Sequence, residues 1–139
     1  MKKLFLTTVA VATLLSGASF AAELKFKPGE DSKFNWKSYE AFKTANSSLK
    51  GETLTIFGPW RGEDEALFQS VLAYFADATG VNVRYSSSEN YEQQIVIDTQ
   101  AGSPPNVAIL PQPGLLADLA AKGLLTPLGD ETANWVKEN

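Results

Sequence analysis

Three short polar segments carry the side chains best suited to chemistry. Gly58-Pro59-Trp60-Arg61-Gly62 sets an indole beside a guanidinium. Ser86-Ser87-Ser88-Glu89-Asn90 offers hydroxyls, a carboxylate and an amide, with Glu92 just beyond. Pro111-Gln112-Pro113-Gly114 holds an amide between prolines that fix its backbone. Such a mixture suits a sugar, whose C–H face packs on an aromatic ring and whose hydroxyls both donate and accept. Trp60 is the candidate platform. Arg61, Glu89, Glu92 and Gln112 are candidate planar hydrogen-bonding partners. The same residues also read as plain structure: Gly58-Pro59 and Pro113-Gly114 as turns, the serines as helix caps, Trp60 as a cover for the core edge.

Other chemistries fare worse. The chain has no cysteine and no histidine, so thiolate nucleophiles, disulfides, His-based triads and the usual zinc sites are absent. No segment spells a dinucleotide fingerprint or a Walker loop, and the Glu63-Asp64-Glu65 run would repel a phosphate from the helix it opens. Those carboxylates, with Glu89 and Glu92, could pair for glycoside hydrolysis. Consecutive carboxylates at a helix start are normally solvated partners of the helix dipole.

The elements that must position these segments alternate in type. Residues 53–57 are β-rich between Gly51 and Gly58. A helix is predicted over 64–79, with Leu67, Phe68, Val71, Leu72 and Phe75 as its apolar stripe and Gly80 as its C-cap. A strand over 81–85 leads to a helix over 90–101, capped by Ser88 or Asn90 and ended by Gly102. A third strand over 106–110 leads to a helix over 115–122, with Gly123-Leu124 as a Schellman ending. A last helix begins at Glu131 with Asp130 as cap. Strands alternating with helices imply an α/β fold with a parallel βαβαβα core and right-handed crossovers. In such sheets ligands sit outside the carboxyl ends of the strands, and all three polar segments follow strands. Before this core lies an arm, 22–51, with a short helix over 35–45. Its Phe34, Trp36, Tyr39 and Phe42 are expected to pin it to the domain.

The first 21 residues follow a different grammar. Lys2 and Lys3 precede an apolar run over 4–20, and Ser19 and Ala21 stand at −3 and −1 of a cut. This is the pattern of a cleavable secretory signal peptide, and it places the protein in the periplasm of a host with an outer membrane. Removing 21 of 139 residues leaves 118, with 10 basic against 16 acidic residues and a net charge of −6. A mildly acidic exported domain is a poor nucleic-acid binder. Nothing in the sequence points to a metal, a cofactor or an oligomer, so a monomer without cofactor is expected.

Gly58-Pro59-Trp60, Ala73-Tyr74-Phe75, Thr79-Gly80, Tyr91-Glu92-Gln93-Gln94-Ile95, Ala101-Gly102-Ser103-Pro104-Pro105-Asn106 and Pro111-Gln112-Pro113-Gly114-Leu115 follow in order. This ordered set resembles the alpha-glucoside-type solute-binding proteins of ABC sugar transporters, in the extracellular family that includes the maltose-binding proteins. The resemblance implies a periplasmic-binding-protein-like fold of two α/β lobes that close on an oligosaccharide and then dock on a membrane permease. It implies binding without catalysis, with first-lobe sugar contacts near Trp60, Arg61, Ser87, Ser88, Glu92 and Gln112. Members are roughly three times as long, a domain-scale difference. On that comparison residues 52–139 read as a partial first lobe of a truncated chain, with apolar helix faces left exposed.

Overall fold

The computed structural model describes residues 24–27, 30 and 34–138. The signal-peptide reading of 1–21 and the Pro28-Gly29 turn lie outside the described residues. The elements are α1 (Trp36–Ala45), a 3-10 turn (Ser47–Leu49), β1 (Thr53–Gly58), α2 (Glu63–Thr79), β2 (Asn82–Ser87), α3 (Tyr91–Gln100), β3 (Val107–Ala108), α4 (Pro113–Ala121) and α5 (Asp130–Glu138).

The three strands form one parallel sheet in the order β2-β1-β3. β1 is the middle strand, and its Ile56, Phe57 and Gly58 are buried. Register pairs Ile56 with Tyr85 and Gly58 with Ser87, while Phe57 pairs with Ser86 and Ala108. Because successive side chains alternate across a sheet, these pairs belong to opposite faces. On one face the Tyr85 ring meets Phe68 of α2 at 5.1 Å. On the other, Phe57 packs with Tyr91 and Ile95 of α3, and Val96, Ala108, Leu110 and Leu115 close around them. Helices therefore cover both faces, as a parallel sheet requires.

Helix ends follow local chemistry. Asn35 caps α1 by accepting from the Ser38 amide at 3.1 Å. α2 stops at Gly80, which takes the left-handed conformation at φ 70°. A β-carbon there would lie 2.9 Å from the Lys50 side chain and 3.2 Å from its Cα, so both dihedral and space demand glycine. Gly123 ends α4 in a Schellman motif: Leu124 donates to Leu119 and Gly123 to Ala120, both at 3.0 Å.

The arm is held by aromatic contacts. The Phe34 ring lies 5.1 Å from Tyr74 and stacks on Trp36 at 4.9 Å, Tyr39 meets Tyr74 edge-on at 6.2 Å, and Phe42 meets Phe75 at 6.1 Å. Tyr39 donates to the Asp77 carboxylate, which also pairs with the Lys43 ammonium at 2.8 Å. The Tyr74 hydroxyl accepts from the Phe26 amide at 2.7 Å and donates to the Phe26 carbonyl at 3.1 Å.

Several boundaries differ from the sequence reading, most by one residue, and the larger shifts have local causes. β2 runs on through Ser86 and Ser87, which pair with Phe57 and Gly58 and so belong to the strand. β3 shrinks to two residues, because only Ile56 and Phe57 offer it partners. α4 starts at Pro113, whose ring suits the first helical position, so half of the expected turn is helix. α5 starts at Asp130, with the Gly129 carbonyl accepting from Thr132 and Ala133. The stripe on α2 is also narrower than expected. Phe68, Leu72 and Phe75 are half-buried, but Leu67 and Val71 are exposed beyond the reach of the arm.

Candidate functional site

A parallel sheet sends the segments after its strands to one rim. The order β2-β1-β3 means the chain leaves β1 toward one side and returns to the other, which creates a switch point beside β1. A groove of about 620 Å³ lies there. Pro59 and Arg61 line it from the segment after β1, and Ser88, Glu89 and Asn90 from the segment after β2. The first turn of α3 adds Tyr91, Glu92 and Gln93, and Pro111 follows from the segment after β3. All three segments thus contribute to one concavity.

Arg61 bridges the groove. Its Nη1 lies 2.7 Å from Glu89 Oε1, an ion pair that ties the segment after β1 to the segment after β2. Hydrogen bonding to Arg61, reinforced by its charge, holds the Glu89 carboxyl below the usual carboxylate range. Both side chains are largely exposed. The Ser88 hydroxyl accepts from the Asn90 amide at 3.2 Å and shapes the entry to α3.

Trp60 stands outside the groove lining. Its ring rests on Phe68 at 4.6 Å. Its amide donates to the Tyr85 hydroxyl and its carbonyl accepts from the same hydroxyl, each at 3.0 Å. Burial pushes the Tyr85 phenol up, against the opposing effect of its bond to Trp60. This clamp needs Gly58: a β-carbon there would lie 2.8 Å from the Tyr85 oxygen and 3.1 Å from Ile109 Cδ1.

Of the six residues put forward from sequence, the structure brings Arg61, Ser88 and Glu92 together in the groove. Trp60, Ser87 and Gln112 are not in its lining. Ser87 faces α2, where its hydroxyl donates to Glu65 at 3.3 Å, because register puts it on the Gly58 face of the sheet. Gln112 is exposed at the N-cap of α4 and makes no capping bond with its side chain. Asn90 supplies the amide expected of its segment, while Pro59, Tyr91, Gln93 and Pro111 are lining residues that the sequence did not single out as contacts, although each lies within a few positions of a named candidate. Tyr91 is also core: only 4% exposed, its hydroxyl donates to the Ile109 carbonyl, and burial pushes its phenol up to about 12.

Of the carboxylates considered for catalysis, Glu65 and Glu89 are engaged otherwise. Glu63, Asp64 and Glu65 occupy the first turn of α2, where Glu65 accepts from Gln69 at 3.0 Å. Glu89 is committed to Arg61. Among the described residues no group of three Asp or Glu could hold a metal, and no helix is long and apolar enough to cross a membrane.

A family model described as bacterial extracellular solute-binding protein matches residues 58–139. The whole chain is 70% identical to the alpha-glucosides-binding periplasmic protein AglE of Rhizobium meliloti (strain 1021), over 31% of that protein's length. It is 39% identical over 61% of its own length to the osmoprotective compounds-binding protein GgtB of Synechocystis sp., covering 20% of that protein. The chain therefore spans about a third or less of the relatives it matches. No solved structure matches it.

Proposed function

Because this chain belongs to the bacterial extracellular solute-binding protein family, we propose that it serves as part of the solute-binding component of an ABC importer. In this reading it captures alpha-glucosides or related oligosaccharides in the periplasm and hands them to a membrane permease. It acts as a monomer, without cofactor, without catalysis and without nucleic acid. The relative binding alpha-glucosides is identical at 70% of positions, which supports the ligand class.

The observation that carries the reading is convergence: segments after three parallel strands share one groove that mixes a guanidinium, a hydroxyl, amides and carboxylates. Arg61 has donors left after pairing with Glu89, Ser88 can donate or accept, and Glu92 accepts. These three are the proposed hydroxyl contacts. Trp60 is proposed to act from the margin, where its 37% exposure leaves part of the ring free for a C–H face. Ser87 is proposed to act through Glu65, and Gln112 from the start of α4.

A glycosidase reading is disfavoured by Glu89. A general acid needs a raised pKa, and Arg61 drives Glu89 the other way. Titration calorimetry of the purified chain with maltose, trehalose and sucrose, beside a hydrolysis assay on the same sugars, tests the proposal. Saturable heat without product is the expected result. Released glucose would favour the enzyme, and silence in both assays with every sugar would overturn the binding reading in favour of a secreted fragment without function.

A further inference from the structure

We infer that Glu89 sets the charge selectivity of the groove by neutralising Arg61, so that neutral polyhydroxyl ligands are accepted and anionic sugars are turned away. The inference rests on the sugar-binding reading above and assigns a residue that reading leaves without a role toward ligand.

Among the described residues, Arg61 is the only cationic side chain in the groove lining. An unpaired guanidinium there would be a ready anchor for a carboxylate or phosphate, since its fork matches both bidentately. The 2.7 Å contact from Nη1 to Glu89 Oε1 places a counter-charge on it. Glu92 adds a second carboxylate to the lining. One cation against two anions gives the concavity a net negative charge, which an anionic ligand meets as repulsion. A neutral sugar meets no such penalty. Arg61 carries five N–H donors, and pairing through Nη1 leaves others for hydroxyl oxygens. The pair therefore removes the charge signal while keeping the hydrogen-bonding one. Glu89 is itself largely exposed, with a side-chain exposure of 75%, so its removal leaves no buried group without a partner.

The test compares maltose with maltobionate, its carboxylate analogue, on the intact chain and on Glu89→Gln. In the unaltered chain maltose binds and maltobionate binds more weakly. Glu89→Gln shifts the affinity ratio toward maltobionate by about three-fold, the scale of an exposed charge pair, and the shift shrinks in high salt. An unchanged ratio in Glu89→Gln overturns the inference. A carboxyl titration of Glu89 by NMR separates this failure from failure of the sugar reading. Glu89 is expected to titrate low, and to return to the ordinary range in Arg61→Gln. A low-titrating Glu89 in a chain that binds neither sugar sinks the sugar reading and the selectivity built on it. A Glu89 indifferent to Arg61→Gln sinks the pair itself, even where maltose binds.

Discussion

The Tyr85 hydroxyl closes a loop on Trp60 from 25 residues away, accepting from its amide and donating to its carbonyl at 3.0 Å each. The phenol thus does for the segment after β1 what a capping residue does for a helix end. Tyr85→Phe keeps the ring against Phe68 and removes only the clamp. It should cost about 1–2 kcal/mol, the scale of hydrogen bonds lost with partly desolvated partners. Amide exchange at Trp60 should quicken well beyond the general change. Unaltered Trp60 protection would show that the clamp is not formed in solution.

Gly58→Ala places a methyl group 2.8 Å from the Tyr85 oxygen and 2.9 Å from a ring carbon, where no real β-carbon fits. The ring is hemmed in by Phe68, so it can retreat little. A loss of about 1–3 kcal/mol is expected in a urea melt, as for overpacked cores. A loss below about 0.5 kcal/mol, the ordinary scatter of surface changes, would mean that Tyr85 swings away freely.

Tyr91 joins core to groove, packing on Phe57 at 4.8 Å while its hydroxyl serves the Ile109 carbonyl. Tyr91→Phe should keep the packing and leave that carbonyl without its donor, costing about 1–3 kcal/mol. The comparison that decides is with Tyr91→Leu, which also loses ring contacts and should cost more. Equal costs would assign the whole effect to the hydroxyl.

Docking of the arm should depend on pH through Asp77. Hydrogen bonds from Lys43 and then from Tyr39 hold its carboxyl below the ordinary value of 3.8. A depressed carboxyl contributes stability that is present above its unfolded value and is lost as pH falls through the folded one. Lys43 is raised above 10.5, chiefly by its bond to Asp77, so its share is present below that value and is lost as pH climbs through the raised one. The arm should therefore hold best between about pH 4 and 10 and loosen in acid. Amide exchange over 36–45 at pH 3 and pH 7 would show it. Asp77→Asn should flatten the difference, and an equal pH response in that variant would assign the effect elsewhere.

Much of this architecture could be read from sequence. The glycines after α2 and α4, the β-rich run of β1 and the alternation of elements each carry a local signal with a local cause. Ser87 closes β2 in two-residue periodicity with Val83 and Tyr85, but it sits in a run of serines that carries the local signal of a turn, so the strand end is not legible there. Leu67 and Val71 share the helical face of Tyr74, and periodicity cannot say that the aromatic rings of the arm reach Tyr74 while Leu67 and Val71 stay exposed. The Arg61–Glu89 pair and the Tyr85–Trp60 clamp join loops through three dimensions, and no spacing along the chain announces them. Convergence of the three polar segments, by contrast, followed from parallel strands alone.

The position of β1 between its two neighbours has a consequence in time. Its inner contacts with Asn106, where the Thr55 amide donates to the side-chain oxygen at 2.8 Å, span 51 residues. Whether the chain emerges from a ribosome or threads across a membrane, β1 must wait until residue 106 has followed it into the folding compartment. Through that interval Phe57 has no finished wall to lie against. Until then the half-paired strand presents an open edge on which another copy could pair, so the interval between emergence of β1 and of β3 is when self-association is most favoured.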